Sequence, residues 1–157
     1  DGIKEAFHSY RRLSIPVLVL SAGVAQTIEK TLDTHMLAWE NISLTANRIL
    51  FDKNGDYMGI NPPNYIHVGS KDEWHTSKEV QESFRGRAMI ILLGDNLQDI
   101  KMIKPEERAS TLAVGFCHAD TREAIGAYSQ IFDIVVVSNT SDNGVLEYIQ
   151  NRIKPEN

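Results

Sequence analysis

The sequence predicts an α/β domain built on a doubly wound parallel sheet with an inserted β-hairpin. Three observations lead there. Residues 15–20, 88–93, 111–116 and 133–137 are nearly unbroken apolar runs, as strands buried on both faces of a parallel sheet are. Segments with helical spacing separate them, and crossover helices between buried strands make a sheet parallel. Two of the runs stop on small residues or a carboxylate, at Ser21-Ala22-Gly23 and at Gly94-Asp95, just before a helical segment.

Taken in order, residues 2–13 read as a helix with Ile3, Ala6, Phe7, Tyr10 and Leu13 on one face. No strand precedes it, an unusual beginning for a domain whose helices cover a sheet. The strand over 15–20 tolerates Pro16 near its start. A helix follows over 24–33. Residues 42–51 are rich in strand formers, Asp52-Lys53-Asn54-Gly55-Asp56 carries hairpin-turn chemistry, and 57–60 return. The hairpin insertion is therefore expected over about 42–60. After the Pro62-Pro63 break come a short extended stretch, 65–68, and a helix from 69–73 to about Phe84. Helices over 121–130 and 143–153 complete the alternation.

The length, 157 residues, suits one domain with a real core, and 42% hydrophobic with 24% charged residues is an ordinary globular composition. A net charge of -5 without a basic cluster argues against nucleic acid. The longest apolar runs are far too short to span a bilayer, and no signal peptide is visible. A single cysteine, Cys117, excludes an internal disulfide and fits a reducing compartment. A cytoplasmic protein without a membrane partner is expected. Cys117 lies in an apolar run, so a buried thiol is the default.

The chemistry-bearing residues follow strand ends. Asp95 and Asp99 are spaced i, i+4, so on a helix both can face the space beyond the strand's carboxyl end. Ligands bind there in open α/β sheets. Two carboxylates so close need a cation or donors, and oxygen ligation suits magnesium. The alternative is a solvated aspartate beside an N-cap at Asp95 or Asn96. Ser21-Ala22-Gly23 offers backbone N–H groups and a hydroxyl to an anion, although a plain serine N-cap reads the same and is locally preferred. Lys71, beside a helix start, opposes the macrodipole unless it meets carboxylates or a phosphate; the more frequent alternative is a solvated ammonium. His67, Trp74 and His75 have no zinc spacing and read as surface or packing residues. A hydroxyl with backbone donors, a fixed cation and magnesium-type carboxylates together suit a phosphate monoester.

These residues carry a resemblance. Ser21, Lys71 and Gly94-Asp95-x-x-x-Asp99 resemble motifs II, III and IV of the haloacid-dehalogenase (HAD) superfamily, whose fold is Rossmann-like. Ser14-Ile15-Pro16-Val17, Phe51-Asp52-x-x-Gly55, Ile66-His67-Val68-x-x-Lys71 and Ile91-Leu92-Leu93-Gly94-Asp95 are similar to cytosolic pyrimidine 5′-nucleotidases of the type III family, from near residue 1 to about residue 153.

The resemblance implies Mg2+-dependent hydrolysis of nucleoside 5′-monophosphates, CMP and UMP or, in a sister group, 7-methyl-GMP. It implies that Ser21, Ala22 and Gly23 hold the phosphate and that Lys71 neutralises phosphate and nucleophile. Asp95 would ligate magnesium, and Asp99 would support the water on the metal and Lys71. The family's Asp-x-Asp pair of nucleophile and acid/base has no counterpart anywhere in the chain. Residues 1–157 are thus expected to be the C-terminal portion of a catalytic domain, without the motif I strand and helical cap, and inactive alone. The alternatives are a non-catalytic phosphate- or nucleotide-binding relic and a structural α/β interaction module. Base specificity and oligomeric state are not legible.

Overall fold

The computed structural model describes residues 2–60, 65–67, 71, 77–119 and 121–137. Helix α1, Gly2–Arg12, buries Ala6 and Tyr10, and Arg11 and Arg12 lie in its last turn, where the macrodipole favours cations. Strand β1, Val17–Val24, runs directly into α2, Ala25–Thr34. Strand β2, Ile42–Asn47, lies parallel to β1, with Val17 opposite Ile42 and Ser21 opposite Ala46.

Strands β3, Ile49–Phe51, and β4, Tyr57–Ile60, form an antiparallel hairpin. Asp52 builds its turn: Oδ1 accepts from the Asn54 and Asp56 backbone N–H groups at 2.8 and 2.9 Å. Gly55 sits at φ 88°, left-handed backbone that glycine enters without strain. Gln26 of α2 clamps the hairpin by donating to the Ile49 carbonyl at 2.6 Å and accepting from its N–H at 3.2 Å. The hairpin is thus narrower than the 42–60 expected from sequence. Residues 42–47 have joined β1 instead, because strand pairing is decided by distant partners and not by the nearest turn.

Helix α3, Lys78–Phe84, is capped by Ser77, whose Oγ accepts from the Val80 N–H at 3.3 Å. The sequence placed its start near 69–73; apart from Lys71 those positions lie outside the described residues, and the extended backbone of Ser77 begins the helix at Lys78. Strands β5, Ile90–Gly94, β6, Thr111–Cys117, and β7, Ile134–Val137, form a parallel sheet with β6 in the centre. Two 3-10 helices, Leu97–Met102 and Pro105–Ser110, connect β5 to β6, and α4, Arg122–Ser129, connects β6 to β7. The closing helix expected over 143–153 lies outside the described residues.

The architecture is the α/β arrangement with parallel sheets that the sequence predicts. Among the described residues its strands form two parallel sheets, β1–β2 and β5–β6–β7, beside the antiparallel β3–β4 hairpin. Leu92, Ala113 and Phe132 form the core of the larger one, with Leu97, Ile100, Tyr128 and Val135 packed round them. Each large apolar side chain buried there contributes about 1.5–3 kcal/mol. Gly115 is required by this packing: a Cβ on it would lie 2.5 Å from the Phe132 ring. Below the core, Asp133 accepts from Arg108 at 2.6 and 3.0 Å and from the Ala113 N–H at 2.8 Å. This locks the second 3-10 helix to the start of β7. Cys117 is a buried free thiol, as its apolar surroundings predict.

Candidate active site

The centre of the site is the turn that ends β5. Asn96 caps the first 3-10 helix, its Oδ1 accepting from the Gln98 N–H at 2.9 Å. Asp99 completes a capping box by reaching back. Its Oδ2 accepts from the backbone N–H groups of Asp95 and Asn96, both at 3.0 Å, and its Oδ1 accepts from Lys71 Nζ at 2.9 Å. Gly94 leaves room for this, since a Cβ there would lie 2.7 Å from Asp99 Cβ and 2.9 Å from Oδ2.

The two aspartates therefore do different work. Asp99 is only 2% exposed, and both its oxygens are occupied by donors. Asp95 is exposed, and no hydrogen bond engages its carboxylate among the described residues. The shared face expected from an i, i+4 pair is not realised. The segment is a 3-10 turn whose capping draws the fourth residue inward. The alternative of a solvated lysine is overturned: the Lys71 side chain is 13% exposed and paired with Asp99. The capping alternative is correct for Asn96, and it coexists with the ion pair.

The other strand end is a bulge. Ser21 pairs with Ala46 and Val24 with Asn47, so Ala22 and Gly23 are extra residues thrown out of the ladder. The Gly23 N–H donates to Ser21 Oγ at 3.0 Å. Val24, not Ser21, is the N-cap of α2, without a side-chain cap and with no acidic residue in the first turn. The serine-cap reading is thereby replaced: the first N–H groups of α2 carry no side-chain cap, which suits an anion.

Lys71, Asp95 and Asp99 are joined directly, through Asp99. The Ser21-Ala22-Gly23 bulge makes no hydrogen bond to them among the described residues. Two residues not evident in the sequence extend the site. Tyr128 of α4 donates its hydroxyl to the Asp95 carbonyl at 2.6 Å; burial first, then the nearby Cys117, Asp95 and Asp99, raise its phenol above the ordinary value, keeping the donor proton in place. Asn47 stands beside the bulge, buried. No spacing signal marks either, because each acts across a tertiary contact.

Magnesium, implied by the resemblance, can be weighed against the donor set. Among the described residues there is no group of three His, Cys, Asp or Glu side chains able to hold a metal. One exposed carboxylate at a strand end still fits magnesium, which takes one or two carboxylates and completes its shell with water and substrate phosphate. Asp95 would hold it, and Asp99, engaged elsewhere, would not.

The pyrimidine 5′-nucleotidase (UMPH-1) family model matches residues 1–153. The chain belongs to this family. It is 30% identical over 154 residues to the 7-methylguanosine phosphate-specific 5′-nucleotidase of Gallus gallus, covering 95% of this chain and 53% of that one. The human protein of the same description is 26% identical over 154 residues, with 95% and 51% covered. A crystal structure of cytosolic 5′-nucleotidase IIIB bound to cytidine superposes with a TM-score of 0.79 at 27% identity, covering 98% of this chain and 54% of that one. A phosphoserine phosphohydrolase-like protein from Francisella tularensis shares the fold, with a TM-score of 0.56 at 17% identity, and 98% and 62% covered. The chain thus spans about half the length of the curated relatives it matches. Among the described residues no helix is long and apolar enough to cross a membrane.

Proposed function

We propose that these residues form the phosphate- and metal-holding part of a magnesium-dependent phosphohydrolase that acts on nucleoside 5′-monophosphates of the CMP and UMP class in the cytoplasm. The observation that carries the reading is the Lys71–Asp99 pair, withdrawn from water beside the carboxyl end of β5. A buried ion pair is weak evidence for stability alone. Here it holds an ammonium in a fixed position on the same carboxylate that ties down the backbone N–H of Asp95. Family membership and the relatives named for 5′-nucleotidase activity support the same reading.

In this reading the Ser21 hydroxyl and the N–H groups at the start of α2 receive the phosphate oxygens, and Lys71 offsets their charge. Asp99 orients Lys71 and stiffens the turn that presents Asp95. Magnesium on Asp95 would supply further charge neutralisation. With no Asp-x-Asp in the sequence, the chain lacks the covalent phospho-acceptor and should bind phosphate without turnover. Calorimetric titration of the 157-residue chain with inorganic phosphate in the presence of Mg2+ tests this. Heat that vanishes in Lys71→Ala supports the reading, and no heat from the wild-type chain overturns it. Phosphate release from CMP or UMP by the chain alone would refute the role given to the absent aspartates.

A further inference from the structure

Asn47, the last residue of β2, is 4% exposed, and its carboxamide is spent entirely on two backbone segments of the site. Nδ2 donates to the Ala22 carbonyl at 2.9 Å and to the Ile66 carbonyl at 2.7 Å, while Oδ1 accepts from the Ile66 N–H at 2.8 Å. Ala22 lies in the bulge, where the register between β1 and β2 skips it. Ile66 lies five positions before Lys71. The carboxamide presents a donor and an acceptor side by side, as a peptide group does, and so pairs with both polar groups of Ile66 as a neighbouring strand would.

We propose that Asn47 is a positioning residue that sets the separation between the Ser21-Ala22-Gly23 bulge and the segment leading to Lys71. The inference rests on the reading of that bulge and Lys71 as one phosphate site. Through Asn47 the carbonyl of Ala22 and both backbone polar groups of Ile66 meet on one carboxamide. The geometry also explains why no other residue serves. Aspartate keeps the shape and the acceptor but loses both donor bonds, glutamine is a methylene too long, and serine has too few groups.

The molecule contains its own control. Asn41 makes the same kind of bond at the opposite end of the β1–β2 pair, Nδ2 donating to the Ile15 carbonyl at 2.9 Å, far along the strand from the bulge. The test compares Asn47→Ala, Asn47→Asp and Asn41→Ala by backbone amide exchange, by the NMR shifts of Gly23 and the Lys71 side chain, and by titration with inorganic phosphate plus Mg2+. Both Asn47 variants should shift Gly23 and Lys71 and weaken phosphate binding about tenfold, the scale of a lost supporting contact behind a ligand site. Asn41→Ala should lower stability while leaving those shifts and that affinity unchanged. If Asn47→Ala does not fold, Asn47→Asp decides, because it retains the bond from the Ile66 N–H. Equal effects of the Asn41 and Asn47 variants on Gly23 and Lys71 would reduce Asn47 to a structural role and overturn the proposal. A wild-type chain that shows no phosphate response would defeat the phosphate reading instead, and the Gly23 and Lys71 shifts would still decide whether Asn47 positions them.

Discussion

Lys71 Nζ stands 2.9 Å from Asp99 Oδ1, with the two side chains 13% and 3% exposed. A pair so far removed from water should be strongly coupled, whereas exposed pairs contribute about 0–1 kcal/mol. A double-mutant cycle with Asp99→Asn and Lys71→Met, read by urea denaturation, should give a coupling toward the top of the usual range of about 0.5–3 kcal/mol for contacting residues. Asp99→Ala should cost about 1 kcal/mol more than Asp99→Asn, since the alanine also removes the acceptor that caps the turn. A coupling near zero would mean that the ammonium is solvated after all.

Gly94 and Gly126 make a contrasting pair. A Cβ on Gly94 would lie 2.7 Å from Asp99 Cβ, and Asp99 is held by three hydrogen bonds and has nowhere to yield. Gly94→Ala should therefore destabilise by about 1–3 kcal/mol, as overpacking does, and should weaken the Lys71–Asp99 coupling measured in that background. Gly126 lies within α4 with nothing within 4 Å of its would-be Cβ. Gly126→Ala should stabilise by about 0.5–1 kcal/mol through helix propensity alone. Thermal melts of both variants check the two signs together.

Tyr128 offers a test of how α4 supports the turn. Its hydroxyl meets the Asp95 carbonyl at 2.6 Å, and its ring stacks on Phe132 at 5.6 Å between centroids. Tyr128→Phe keeps the stacking and removes the donor. The expected cost is about 0.5–1.5 kcal/mol, the net worth of one hydrogen bond, with faster amide exchange at Asp95 and Asn96. Unchanged exchange at those amides would show that the Asp99 cap holds the turn without help from α4.

What the sequence revealed, and what it hid, divides by the range of the contact. The strands over 88–93, 111–116 and 133–137 were readable because each is an apolar run whatever its partner, although only the central one, β6, is buried along most of its length. Local electrostatics left the Lys71 ammonium open between a carboxylate, a phosphate and water, with water the more frequent, and only the resemblance tied it to Asp99, its partner in the structure. The partition of 42–60 between β2 and the hairpin was not, because β2 is fixed by the Val17 to Val24 ladder, some 25 residues earlier. The direction of Asp99 was missed because i, i+4 geometry belongs to an α-helix, and this turn is 3-10. Asn47 and Tyr128 left no trace: their partners lie 19 to 33 positions away.

Acid should expose one further interaction, at the base of the larger sheet. Asp133 is held below the ordinary carboxylate value first by its hydrogen bonds from Arg108, then by the N–H of Ala113 and the guanidinium charge. A carboxylate whose folded value is depressed contributes its stability in full above the unfolded value, about 3.9, and loses it as pH falls through the lower folded value. Both side chains are 38% exposed, so solvent screening keeps the ion-pair contribution to about 1 kcal/mol or less. The comparison to make is wild type against Asp133→Asn, which retains an acceptor for Ala113 but not the charge. Their urea midpoints should differ by a constant amount from neutral pH down to about 4 and converge below it, while added salt should narrow the gap at neutral pH. A gap that persists undiminished in acid would place the effect in packing rather than in the charge of Asp133.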